Sequence, residues 1–235
     1  MALLEIACFS ADHAILAFNS GADRIELCKD HKAGGTTPSL ESLLAVKRMV
    51  SIPVYAMIRP RGGDFDYDEE EFAQMEADID RLKPMVDGYV FGMVNEDRTV
   101  DVARTAALVQ RAAPLPCTFH RAFDETYYQR QALEDVIATG CNAVLSSGGN
   151  SDAVSGTKVL RDLVKVATGR IVVMPGGGVR ASNILELYRA TKALAYHSSG
   201  LNPEQGVADP DEIRHMKRTL LQQRSLAELP AFDGA

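Results

Sequence analysis

Along this chain, short runs of four to six apolar or β-branched residues alternate with longer stretches whose apolar positions recur every three or four residues. The short runs read as strands, at LLEIAC (3–8), DRIELC (23–28), PVYAMI (53–58), VDGYVF (86–91), PCTFHR (116–121), NAVLSS (142–147), RIVVMP (170–175) and ALAYHS (193–198). Between them lie helical stretches such as 68–85, 101–113, 128–140, 157–167 and 181–190. In the first of these Phe72, Met75, Ile79 and Leu82 fall on one face, which a sheet can bury. Asp68 or one of its neighbours can cap its acid-rich first turn, and Gly140 can stop the helix ahead of the sixth strand. Pro53 and Pro116 open strands, where a missing N–H is tolerated.

Eight strands alternating with helices predict an α/β fold, a (β/α)8 TIM barrel, as one domain over residues 1–235. A doubly wound sheet uses the same local units, but no dinucleotide-binding glycine pattern follows the first strand.

A barrel carries its chemistry at the C-terminal strand ends, and side-chain alternation sorts inward from outward residues there. Glu5, Glu26, Arg59, His120, Arg121, Asp124 and His197 all fall in or just beyond predicted strands. Glu26 shares a face with Arg24, Arg59 with Tyr55 and Met57, and His120 with Thr118, which turns these residues inward. A buried acid needs a partner, and Arg59 is expected to pair with Glu5 or Glu26.

The chemistry these residues suggest is proton transfer on an anion. His120 is expected as acid or base, with Glu5 or Glu26 as counterpart and Asp124 and His197 beside them. Arg59 and Arg61 bracket Pro60 ahead of two glycines, a loop that presents guanidinium groups to carboxylate or phosphate, and Arg121 adds a third. Gly176, Gly177 and Gly178 follow strand seven, at the usual phosphate position of barrels. Two histidines with Glu5 or Glu26 also offer ligands for a divalent metal.

With 32 acidic against 25 basic residues the formal net charge is -7, so no nucleic-acid partner is expected. No apolar run approaches the roughly 20 residues that span a bilayer, and no basic leader opens the chain, which predicts a cytoplasmic protein with no membrane partner. Cys8, Cys28, Cys117 and Cys141 form no CxxC pair and are expected as free thiols.

The segments LEIACFS (4–10), GADRIELC (21–28), GGTTPS (34–39), MIRPRGGDFDY (57–67), TFHRAFD (118–124), SSGG (146–149), PGGGV (175–179) and YHSS (196–199) resemble, in unbroken order, the copper homeostasis protein CutC family. The resemblance implies a TIM-type barrel and copper binding in cytosolic copper homeostasis, as Cu(I) at Cys8 and Cys28, together with a homodimer or larger homo-oligomer. Thr36, Ser146 and Ala195 depart from the family's usual residues, and Ala195 stands where an acid often precedes the aromatic–histidine pair. Parity opposes a shared thiol site, because regular strands that turn Glu5 and Glu26 inward turn Cys28 inward and Cys8 outward. A small-molecule sensor and an enzyme acting on a small phosphorylated or carboxylated metabolite therefore stand as alternatives, with the same cavity residues.

Overall fold

A computed structural model describes residues 2–202 and 205–227. Eight strands run β1 Leu3–Cys8, β2 Arg24–Leu27, β3 Val54–Met57, β4 Gly88–Phe91, β5 Cys117–Phe119, β6 Ala143–Ser146, β7 Val172–Pro175 and β8 Ala195–Ser198. The helices that follow them in turn are α1 Ala11–Asn19, α2 Leu40–Met49, α3 Glu69–Leu82, α4 Val102–Ala112, α5 Gln129–Ala138, α6 Thr157–Ala167, α7 Ile184–Thr191 and α8 Pro210–Ala227. All strand pairs are parallel, in the order β7-β6-β5-β4-β3-β2-β1-β8. Strands β7 and β8, at the two ends of that order, lie against each other, and the sheet comes round into a nearly closed (β/α)8 barrel. A doubly wound sheet, which has two free edges, is thereby excluded.

Each expected strand forms, trimmed by a residue or two at an end except for β1. The first expected helix begins with a reciprocal cap. The Asp68 side chain accepts from the Glu71 N–H at 2.9 Å, and Glu71 accepts from the Asp68 N–H at 3.0 Å. Its buried face carries Met75, Ile79 and Leu82 with no exposed surface.

Alternation along the strands divides the sheet cleanly. Leu4, Ile6 and Cys8 of β1, Ile25 and Leu27 of β2, Val54 and Ala56 of β3, and Cys117 and Phe119 of β5 pack outward against the helices in the main core. Inside the barrel two smaller apolar groups form, Cys28 with Tyr55, Met57 and Val90, and Leu145 with Met174 and Ala195. The polar residues of β1, β2 and β8 separate them.

Candidate functional site

Strand register builds the polar strip. Glu5 is the ladder partner of Arg24 on one side and of His197 on the other, so three charged groups share one level of the barrel. The Arg24 Nε donates to Glu5 Oε2 at 2.5 Å, and Glu5 Oε1 lies 2.8 Å from His197 Nδ1. Arg24 also lies over the Tyr55 ring, 4.3 Å from its centroid. Glu26 stands one level higher, opposite Ala7 and Tyr55, at the floor of a cavity of about 250 Å³ in the barrel mouth.

The charges follow from this packing. Burial works against ionising Glu5, but the Arg24 charge and the His197 bond outweigh it and hold its pKa below the ordinary carboxylate value. Burial raises Glu26 instead. Burial also disfavours a charge on His197, but Glu26 and Glu5 overcome that, and its pKa is raised. Glu26 and His197 therefore both grip a proton more tightly than in water, a pair suited to passing one between them. The Cys28 thiol donates to Glu26 Oε1 at 3.3 Å, while Glu26 Oε2 is buried without a partner.

His120 differs from the sequence expectation. Its Nδ1 accepts the Ala122 N–H at 3.2 Å, so in the neutral ring the proton sits on Nε2. Burial and the Arg59 charge push its pKa down to about 3. With Nδ1 taken by the backbone, the neutral ring presents Nε2–H as a donor. Nε2 is buried without a partner and the residue lines the cavity. Gly92 makes room for the ring, because a Cβ there would stand 2.6 Å from His120 Nδ1.

The expected pairing of Arg59 with Glu5 or Glu26 does not form. Arg24 already holds Glu5, and Arg59, just past the end of β3, gives Nη1 to the Ala33 and Gly35 carbonyls at 2.8 and 3.2 Å and Nη2 to the Gly63 carbonyl at 2.7 Å. Its Nε is buried without a partner in hydrogen-bond geometry, the guanidinium also acts on the nearby Tyr67 hydroxyl, and the residue lines the cavity. Arg61 turns away from the cavity, with its Nε 2.5 Å from Glu71 and Nη1 2.9 Å from Asp64, where it fixes the loop before α3. Asp124 is spent on loop structure as well. It accepts from Ser146 Oγ at 2.6 Å, from the Ser147 and Gly149 N–H groups, and from Arg121 Nε at 2.8 Å. These bonds leave Asp124 to hold the β5 and β6 loops together rather than to meet a ligand.

Arg121 does line the cavity, as do Gly177 and Gly178. Gly176 sits behind them, where a Cβ would stand 2.4 Å from Leu145. Gly177 has φ +87, a backbone conformation that favours glycine, and a Cβ on it would stand 3.1 Å from Arg121 Cζ, which would have to shift by a few tenths of an ångström. Among the described residues the N–H groups of Gly177, Gly178 and Val179 form no hydrogen bond. Arg180 also lines the cavity, and sequence reading missed it. It lies one residue past the PGGGV run, and its position in an anion-favouring loop was the available signal.

Oxygens of Glu5 and Glu26 and a ring nitrogen of His197 lie within 4.8 Å of one another, close enough to gather round a cation or a small polar ligand. Both Glu5 oxygens are already engaged and Arg24 brings a positive charge into the group, so the fit to a metal ion is poor. Two carboxylates and an imidazole are in any case not the soft donors that select Cu(I). All four cysteines are buried and free. Cys8 faces the helices and Cys28 the interior, and burial pushes both thiols well above their ordinary pKa. They do not form a common two-thiolate site on one face of the sheet. No described helix is long and apolar enough to cross a membrane.

Comparison with known proteins agrees with the pattern of segments read from the sequence. The chain is 45% identical over 199 residues to the human copper homeostasis protein cutC homolog, covering 84% of this chain and 72% of that one. A crystal structure of the putative copper homeostasis protein CutC from Streptococcus agalactiae superposes with a TM-score of 0.80 at 30% identity, covering 85% of this chain and 99% of that one. N-(5'-phosphoribosyl)anthranilate isomerase from Pyrococcus furiosus shares the fold alone, with a TM-score of 0.61 at 14% identity over 94% of this chain and 100% of that one. The sequence model of the CutC family matches residues 2–202, and with it the relatives and the barrel agree that the chain belongs to the CutC family.

Proposed function

We propose that the protein is an enzyme acting on a small anionic metabolite, phosphorylated or carboxylated, in the barrel-mouth cavity. One observation carries the reading: a buried acceptor, Glu26 Oε2, and a buried donor, His120 Nε2, both without partners, belong to residues lining the same cavity. Unsatisfied buried polar atoms are costly, on the order of 1–3 kcal/mol each, and a ligand that meets both recovers that cost. The anion is held by the N–H groups of residues 177–179 with Arg121 and Arg180, in the loop where barrels commonly bind phosphate. Glu26 and His197 exchange the proton, with Glu5 orienting His197 and Arg24 keeping Glu5 charged. The apolar wall of Phe9, Met57, Phe65 and Leu145 keeps bulk water from the reacting end.

Calorimetric titration with inorganic phosphate and with acetate tests the anion site and tells the two anion classes apart. Saturable binding that weakens about tenfold in Arg121→Ala and in Arg180→Ala, about 1.4 kcal/mol, supports the reading. Absent binding of both anions, or binding indifferent to both substitutions, contradicts it.

Copper handling is the second reading, supported by the name that relatives carry. In that reading copper(I) is the cargo and Cys8 and Cys28 are its ligands, which requires the end of β1 to turn Cys8 toward Cys28.

A further inference from the structure

The barrel mouth holds three buried polar atoms without partners on residues that line one cavity: Glu26 Oε2, His120 Nε2 and Arg59 Nε. Their residues are 3%, 4% and 5% exposed, so water does not satisfy them freely. Arg59 Nε is a donor only. His120 Nε2 is also a donor, because Nδ1 is taken by the Ala122 N–H. Glu26 Oε2 remains as the acceptor, with its other oxygen held by the Cys28 thiol. A ligand that completes this set offers oxygen acceptors for the two N–H groups and, separately, a proton for a carboxylate.

We propose, on the basis of the anion-binding reading above, that the reaction is enolisation of a phosphorylated carbonyl compound, with Glu26 as the base and His120, together with Arg59, as the donors that hold the carbonyl oxygen. Glu26 Oε2 takes the proton from the carbon beside the C=O. The C–H bonding pair becomes the new C=C bond, and the carbonyl π pair moves onto oxygen, where the two N–H groups meet the developing charge. Return of the proton from Glu26 to the same carbon restores the substrate. Its return to the former carbonyl carbon of an α-hydroxy compound, with one proton passing between the two oxygens, gives the isomer. No oxidant, reductant or second substrate is needed.

A neutral imidazole suits this role better than an imidazolium, because it donates a hydrogen bond to the enolate without surrendering its proton to the ground-state carbonyl. The surroundings keep it neutral: it is buried, Arg59 is near, and Ala122 occupies the nitrogen that would otherwise take up a proton. Removing one donor from such a site typically costs on the order of 100-fold to 1,000-fold in rate.

Two probes with the same phosphate group test this. Phosphoglycolohydroxamate offers a planar, enediolate-like oxygen pair, whereas 2-hydroxyethyl phosphate carries only an alcohol. The wild-type protein is expected to bind the hydroxamate at least about 100-fold more tightly. That preference should fall at least about tenfold in His120→Phe and persist largely in His120→Gln, whose amide restores an N–H. Equal affinity of the wild-type protein for the two probes, or a preference that survives His120→Phe, overturns the proposal while leaving the anion site standing. Failure to bind either probe removes the anion-binding reading and this inference with it. Should His120→Phe not fold, the wild-type contrast alone decides.

Discussion

His120 and His13 are held neutral by burial, with pKa values of about 3 and about 4. In the unfolded chain both titrate near 6.5, so between that pH and their folded values unfolding takes up protons. Their contribution to stability is complete above about pH 6.5 and is lost as pH falls, by up to about 1.4 kcal/mol per pH unit for each histidine. His197 runs the other way: its raised pKa gives stability that is present below about pH 6.5 and lost as pH rises through the folded value. Unfolding followed by denaturant titration across this range should show the acid-side slope, reduced by about one proton in His120→Gln. An unchanged slope in that variant would mean that the ring is charged in the folded protein. Residue type and strand parity made Glu5, Glu26, His120 and His197 legible as inward groups. Their roles were not, because His120's depend on which nitrogen meets the Ala122 N–H, a contact made by the turn and invisible in the letters.

At the scale of elements, the strands were readable because a strand of a parallel barrel is apolar, short and bounded by turns. The helices beyond the five read from periodicity gave less signal. The α1 sequence ADHAILAFN is only nine residues and nearly apolar throughout, so its buried face of Ala14 and Ala17 does not stand out. Ladder register was equally hidden, which is why Arg59 was expected to take the place that Arg24 fills. Register also bears on copper. Cys8 and Cys28 end neighbouring strands, and the Cys28 N–H donates to the Cys8 carbonyl at 2.8 Å, yet their side chains leave opposite faces of the sheet. An anaerobic Cu(I) competition titration of the reduced protein, beside a Cys8→Ser/Cys28→Ser double variant, is expected to show weak binding that the substitutions do not change. Tight stoichiometric binding lost in the double variant would establish copper handling at these thiols and show that β1 rearranges at its end.

The whole molecule is a barrel whose interior is apolar on two sides and polar along β1, β2 and β8. A purely structural filling needs neither the Glu5–Arg24–His197 level nor three unpartnered atoms above it, since well-packed apolar residues are usually as stable as a buried ion pair. The expense of that polar filling is the reason to assign it a reaction rather than a role in closure. The most direct measurement is to incubate the protein with a mixture of phosphorylated metabolites in heavy water and follow deuterium incorporation and conversion by mass spectrometry, beside Glu26→Gln. The account predicts that the wild-type protein labels or converts at least one phosphorylated carbonyl compound and that Glu26→Gln, still folded, does neither. A wild-type protein that leaves every compound unlabelled and unconverted, or a Glu26→Gln variant as active as the wild type, would contradict it.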